Sequence, residues 1–298
     1  MGLVEGRVAI VTGAGRGIGA GIAKRLAREG AAVVVNDLGV ELDGTGGDDG
    51  PAAQVVDEIS GFGGRAVATP ADITDHAAAA GLVGLAIKEF GRLDVVVNCA
   101  GILRDRMVFN MDEEDWDAVV RVHLRGTFNL TKHAAAHWRA QARPDGHFRL
   151  INFTSPSGLF GSPGQPNYAA AKMGIVGLTY SCANALGRYG VTTNAISPVA
   201  LTRMTASIPS ERRRGPSDDS GAPENVAPIV VYLASDRSDW LNGQVIGAGG
   251  YEVSLYNRPQ VLARAASEGP WDLERLAESV EESFRAVLDQ AAPRMTSA

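Results

Sequence analysis

Thr12-Gly13-Ala14-Gly15-Arg16-Gly17-Ile18-Gly19 stands between an apolar run at 7–11 and a segment where Ile18, Ile22 and Leu26 repeat at four-residue spacing before Gly30. The run predicts a buried strand, and the spacing predicts an amphipathic helix. A glycine-rich turn in that setting predicts a dinucleotide cradle. Glycines let the backbone approach a pyrophosphate, and the helix start offers unpaired N–H groups and a positive dipole end. A second apolar run, at 32–36, is closed by Asp37, eighteen residues beyond Gly19. That is close to the ~20 expected of a carboxylate that holds ribose hydroxyls. A carboxylate there repels a 2′-phosphate, which favours NAD over NADP. The competing interpretation is a tight turn followed by a surface aspartate.

The same rhythm continues along the chain. Further strand candidates fall at 66–69, 94–98, 149–153, 192–196 and 244–247, rich in Val and Ile and without strict alternation. Such runs suit strands covered on both faces of a parallel sheet. Helical patterns lie between them, including one long helix from about Asp112 through Trp116 and Phe128, and another from Tyr168 to about Leu186. The expected fold is α/β: a Rossmann-type, doubly wound, parallel seven-stranded sheet with helices on both faces, plus a C-terminal helical extension. Residues 1–250 are expected to form one NAD-binding catalytic domain. Residues 251–298, with one helical pattern at 271–290, are expected to pack on that domain or on a neighbouring subunit. Two loops break the rhythm, a Gly/Asp-rich one at 39–51, expected to be mobile, and a Ser/Pro/Arg-rich one at 202–223. Loops of the latter length are usually functional clamps or disordered.

Composition excludes several classes. With 298 residues, 45% hydrophobic and 21% charged, the chain is an ordinary globular protein, and its net charge of −6 argues against a nucleic-acid partner. No apolar run approaches the ~20 residues of a membrane span. Two cysteines, Cys99 and Cys182, suit buried free thiols in a reducing compartment, and a cytoplasmic location is expected. No metal is expected.

Asn167-Tyr168-Ala169-Ala170-Ala171-Lys172, with Ser155 thirteen residues ahead of Tyr168, supplies a proton-transfer group, a cation and a hydroxyl. Residues four apart share a helix face, so Tyr168 and Lys172 are neighbours. An ammonium beside a phenol favours phenolate and draws its pKa from ~10 toward neutrality. On its own, this pair also fits a solvated helix face.

Taken together, these motifs resemble the short-chain dehydrogenase/reductase family over residues 4–250. The resemblance rests on the 12–19 turn, Asp72-Ile73, Asn98-Cys99-Ala100-Gly101, Ser155, Tyr168-x-x-x-Lys172 and Asn194-x-Ile196-x-Pro198. It implies Ser155, Tyr168 and Lys172 as catalytic residues. It implies a cofactor site of Thr12, Gly13, Arg16, Gly17, Ile18, Gly19, Asp37, Asp72, Ile73, Asn98, Ala100, Gly101, Tyr168, Lys172, Pro198 and Thr202. Asp72 would contact adenine, Lys172 the nicotinamide ribose and Thr202 the carboxamide. A narrower resemblance, to the dehydrogenase unit of peroxisomal multifunctional β-oxidation enzymes and related bacterial hydroxysteroid dehydrogenases, lies in the 35–39, 101–106, 122–128 and 203–205 segments. It implies hydride transfer between NAD and a secondary alcohol, on a 3-hydroxyacyl-CoA or on a 17β-hydroxysteroid. It also implies a homodimer or homotetramer. A non-catalytic NAD-binding partner is the remote alternative.

Two departures stand out. His123 occupies the place of an asparagine that completes a proton relay in many members, either as a relay group or as a packed helix residue. Pro198-Val199 replaces the usual Pro-Gly, removing backbone freedom beside the nicotinamide. For substrate, Met204 and Ile208 are candidates for an apolar slot. Arg104, Arg106 and the Arg212-Arg213-Arg214 run are candidates for CoA phosphates, or else solvated loop charges.

Overall fold

The computed structural model describes residues 2–48, 50–141, 145–202 and 219–291. In chain order they form β1 (Val8–Thr12), α1 (Gly17–Arg28), β2 (Ala32–Asn36), α2 (Gly50–Gly61), β3 (Arg65–Thr69), α3 (His76–Phe90) and β4 (Val95–Asn98). Next come α4 (Glu113–Val120), a π turn (Arg121–Arg125), α5 (Gly126–Gln141), β5 (Phe148–Phe153), α6 (Pro156–Phe160) and α7 (Pro166–Leu186). The chain continues through β6 (Val191–Val199), α8 (Ala227–Ala234), β7 (Val245–Gly249), β8 (Glu252–Leu255) and α9 (Leu273–Ala291).

The sheet order is β3-β2-β1-β4-β5-β6-β7-β8. Seven strands run parallel, and the order reverses between β1 and β4, where open α/β sheets bind ligands. The eighth strand, absent from the sequence expectation, turns back at Gly250 (φ 59°) and pairs antiparallel with β7. Its four residues are all exposed, so it carries no burial pattern that a sequence would show.

Alternate residues of each central strand enter different cores. Val11, Val33, Val35, Val97 and Ile151 pack with α1, α2 and α8 on one face. Ile10, Val34, Val96 and Leu150 pack with α3 and α5 on the other. This two-sided burial is why the strands read as unbroken apolar runs. Trp138 of α5 locks its face, stacking on Phe148 at 5.5 Å and donating its indole N–H to Leu93 O at 2.8 Å.

The expected single helix from Asp112 is interrupted. The helix starts where expected, with Asp112 capping it by accepting from Asp115 N at 2.8 Å, but residues 121–125 widen into the π turn. Such bulges recur at functional sites, and this one carries His123. Chain contacts divide the molecule into Met1–Tyr256, which holds the whole sheet, and Asn257–Ala298, which holds α9.

A buried polar ladder ties the helix bearing Tyr168 to the sheet. Asn98 Nδ2 donates to Asn152 Oδ1 (2.9 Å), Asn152 Nδ2 to Thr179 Oγ1 (2.9 Å), and Thr179 Oγ1 to Ile175 O (2.8 Å). Asn152 is fully buried, so Asn152→Ala strands polar partners on β4 and α7. Urea unfolding should show a loss of about 1–3 kcal/mol, and a loss under ~0.5 kcal/mol would remove the ladder as an anchor.

Candidate active site

The turn after β1 is built against the turn after β4. Thr12 Oγ1 accepts from Cys99 N (3.1 Å) and Ala100 N (3.2 Å). Gly13 has φ +65°, and a Cβ there would sit 2.7 Å from Ala100 Cα. At Gly19 a Cβ would sit 2.1 Å from Gly13 O, so helix α1 and its entry turn close up only on glycine. The result is a cleft of about 420 Å³ at the strand-order reversal.

Residues from across the predicted cofactor site line this one cleft. Gly13, Arg16, Gly17, Ile18 and Gly19 form one side. Asp37, Asp72 and Ile73 form the end beyond β2 and β3, while Ala100, Gly101, Tyr168, Lys172, Pro198 and Thr202 form the other end. Thr12 and Asn98 lie beneath it, in the fastenings described above. Asp37 is held in place by backbone: its carboxylate accepts from Gly15 N (2.8 Å) and Gly39 N (2.7 Å). Asp72 is held the same way, by Thr74 N (2.8 Å) and Thr74 Oγ1 (3.0 Å). Two asparagines that sequence reasoning missed support this end. Asn36 Nδ2 donates to Ala71 O (2.8 Å), and Asn129 Nδ2 donates to Ile73 O (3.0 Å).

Pro198-Val199 causes no distortion. Val199 pairs with Gly249 of β7, where a Cβ would fall 2.7 Å from Val199 Cβ. The small residue of this pair is Gly249.

At the catalytic end, Ser155 caps α6, its Oγ accepting from Ser157 N at 3.1 Å, and its side chain also hydrogen-bonds Tyr168. Lys172 lies a turn beyond Tyr168, its Nζ 5.5 Å from the phenol ring centroid and donating to Phe153 O at 2.8 Å. Burial pushes the Tyr168 phenol up to about 12, against the hydrogen bond from Ser155, which lowers it. Burial likewise brings Lys172 down to about 8. The expected downward pull of Lys172 does not figure in this shift, which desolvation dominates, and the Lys172 ammonium donates to a carbonyl. Burial also pushes the Cys99 thiol up to about 12, so it stays protonated.

His123 is buried in the π turn, edge-on to the Tyr168 ring at 5.0 Å. Its Nε2 lies 2.8 Å from Ile102 O and 3.1 Å from Ile102 N, and its Nδ1 has no partner among the described residues. Burial, reinforced by Lys172, holds its pKa well below the usual imidazole value, so the ring is neutral. Asn167, fully buried, fixes the approach of Tyr168: its Nδ2 donates to Arg104 O and Asp115 O (both 3.0 Å), and its Oδ1 accepts from Tyr168 N (2.7 Å). Its place directly before the tyrosine was the signal available in the sequence.

The proposed substrate residues separate. Arg104 lines the cleft but is engaged, with its Nε donating to Asp43 O (3.0 Å) and Nη1 to Glu114 Oε1 (3.0 Å). Arg106 is exposed, 3.6 Å from Asp115. Met204, Ile208 and Arg212 to Arg214 lie outside the described residues. Among the described residues no helix is long and apolar enough to cross a membrane, and no cluster of three His, Cys, Asp or Glu could hold a metal.

A glycine-built turn, a fixed carboxylate past the second strand, and Tyr168 with Lys172 line one cleft, with Ser155 hydrogen-bonded to Tyr168, an arrangement that fits a nicotinamide-dependent oxidoreductase. A family model described as short chain dehydrogenase matches residues 7–213, and the chain belongs to that family. It is 45% identical over 295 residues to the hydroxyacyl-CoA dehydrogenase ChsB1 of Mycobacterium tuberculosis, covering 94% of this chain and 89% of that one. It is 42% identical over 246 residues to the peroxisomal multifunctional enzyme type 2 of Mus musculus, covering 82% of this chain and 32% of that enzyme. The crystal structure of a short chain dehydrogenase from Mycobacterium avium superposes with a TM-score of 0.85 at 45% identity, over 99% of this chain and 98% of that one.

His123 and Gly101 are sterically linked, since a Cβ at 101 would fall 2.2 Å from His123 Cε1. Gly101→Ala should cost about 1–3 kcal/mol in urea unfolding. In a His123→Ala background the same change should cost roughly half as much or less, and additive losses would refute the link.

Proposed function

We propose that this protein is an NAD-dependent dehydrogenase interconverting a secondary alcohol and a ketone on a 3-hydroxyacyl-CoA. One observation carries the reading: Tyr168, hydrogen-bonded to Ser155 and one turn from Lys172, opens into the same cleft as the preset carboxylate of Asp37. The 2′-hydroxyl of an NAD ribose would suit that carboxylate, whereas a 2′-phosphate would be repelled.

When bound, the oxidised nicotinamide supplies the hydride acceptor and a positive charge near the phenol. Tyr168 takes the hydroxyl proton of the alcohol in oxidation and returns it to the alkoxide in reduction. Ser155, its Oγ orientation set by capping α6, holds the substrate oxygen in line. Lys172 contributes charge that favours the phenolate and would also bind the nicotinamide ribose. Loss of one such positioned donor typically costs ~10²–10³ in turnover.

The acyl-CoA assignment draws on the relative whose name describes that chemistry, the hydroxyacyl-CoA dehydrogenase ChsB1. Arg106, exposed and 3.6 Å from Asp115, is the described candidate for a phosphate contact. Trp116, Phe128 and Met173 stand exposed on the long helices, which supports association of copies through them. The free thiols Cys99 and Cys182 support a reducing, cytoplasmic setting.

Following NADH absorbance with (R)- and (S)-3-hydroxyacyl-CoAs beside 17β-hydroxysteroids tests the assignment. NADH formation should be fastest with an acyl-CoA, and steroid turnover with none on acyl-CoAs would overturn the substrate. Wild type should prefer NAD, and Asp37→Ala should narrow that preference. A wild type that works better with NADP would refute the role of Asp37.

A further inference from the structure

The Gly/Asp-rich segment after β2 is not a loose connection. Its base is pinched where Gly39 (φ +69°) meets Asp48, since a Cβ there would lie 1.8 Å from Asp48 O. Its tip folds on itself, with Glu41 N donating to Thr45 O (2.8 Å) and Gly44 N to Glu41 O (3.0 Å). A compact loop with closed ends of this kind is an Ω-loop.

The loop is docked across the cleft onto the strand exit that follows β4. Leu103 N donates to Leu42 O at 2.8 Å, and Arg104 Nε donates to Asp43 O at 3.0 Å. Gly44 lies against Ile102, where a Cβ would meet Cδ1 at 3.1 Å. Val40 joins a small apolar cluster with Ile102, Ala118, Val119, Val122 and Tyr168. Residues 40–44 thereby line the same cleft as Asp37 and Asp72.

We infer that residues 38–48 cap the nucleotide half of the dinucleotide site and that Arg104 is the latch holding the cap shut. Arg104 is a positioning residue for the cofactor, not a ligand of substrate phosphates. Its guanidinium is committed on two sides, to Asp43 O and to Glu114, and its side chain is only 20% exposed. The latch also reaches the chemistry. Arg104 O accepts from Asn167 Nδ2 at 3.0 Å, and Asn167 Oδ1 accepts from Tyr168 N at 2.7 Å. The cap begins at the ribose carboxylate, since Asp37 accepts from Gly39 N. One continuous set of contacts therefore runs from Asp37 over the cleft to Tyr168.

This inference rests on the dinucleotide reading, and the test separates the two. NADH is titrated by fluorescence into the full chain without substrate, and KM is measured separately with acetoacetyl-CoA at saturating NADH. Arg104→Ala, and independently replacement of residues 40–47 by two glycines, should weaken NADH binding about tenfold, the scale of one lost charge-assisted hydrogen bond. KM for acetoacetyl-CoA should stay within about twofold of wild type. Gly44→Val, which pushes the loop off Ile102 while leaving Arg104 intact, should weaken NADH binding in the same direction. NADH affinity unchanged in all three variants would overturn the cap. A rise in acetoacetyl-CoA KM alone for Arg104→Ala would return that residue to the substrate site. A wild type that binds neither NADH nor NADPH would overturn the dinucleotide reading and the cap with it.

Discussion

The hydroxyl of Thr12 receives the N–H groups of Cys99 and Ala100, and this joint holds the whole site together. It fastens the end of β1 to the exit of β4 at the one place where the sheet order reverses. There the connections leave in opposite directions and a crevice opens between them. Everything that binds is then placed relative to that joint. The glycine turn follows Thr12 directly and presses Gly13 on Ala100. Gly101 and Ile102 continue from the far side to His123 and to the docked loop. A side chain at Gly13 or Gly19 would wedge the joint open, which is why the motif is a string of glycines rather than merely a flexible turn.

The catalytic end shows desolvation winning over proximity. Two groups four residues apart on a helix were expected to tune each other through charge. In the protein, burial pushes both toward their neutral forms, up to about 12 for Tyr168 and down to about 8 for Lys172. The ammonium bonds Phe153 O and lies 5.5 Å from the centre of the phenol ring. A site poised in this way responds strongly to any charge brought into it, because low polarity magnifies each interaction.

Much of this was legible in the sequence because the determinants are local. The parallel strands were placed to within a few residues, since Val-rich runs such as 32–36 and 95–98 are buried on both faces and need no partner to be recognised. Asp37, Ser155, Tyr168 and Lys172 were singled out from spacing together with the family resemblance, and Asp37, Tyr168 and Lys172 line one cleft. What escaped depends on tertiary contact. The π turn at 121–125 leaves the apolar periodicity of its flanks intact, so the pattern showed one uninterrupted helix. Strand β8 is exposed throughout and is specified only by pairing with β7. The loop at 39–51 was expected to be mobile because its composition is Gly/Asp-rich. Its docking comes from a backbone hydrogen bond, Leu103 N to Leu42 O, and from the Arg104 side chain on Asp43 O, pairings that only the tertiary fold brings together.

The central claim is that Tyr168 carries the proton while the remaining cleft only binds and orients. Tyr168→Phe isolates it, since the ring and its packing against His123 remain while the hydroxyl is lost. NADH binding by fluorescence should match wild type, and turnover of a 3-hydroxyacyl-CoA should fall by ~10²-fold or more. Retention of more than about a tenth of the wild-type rate would contradict the account.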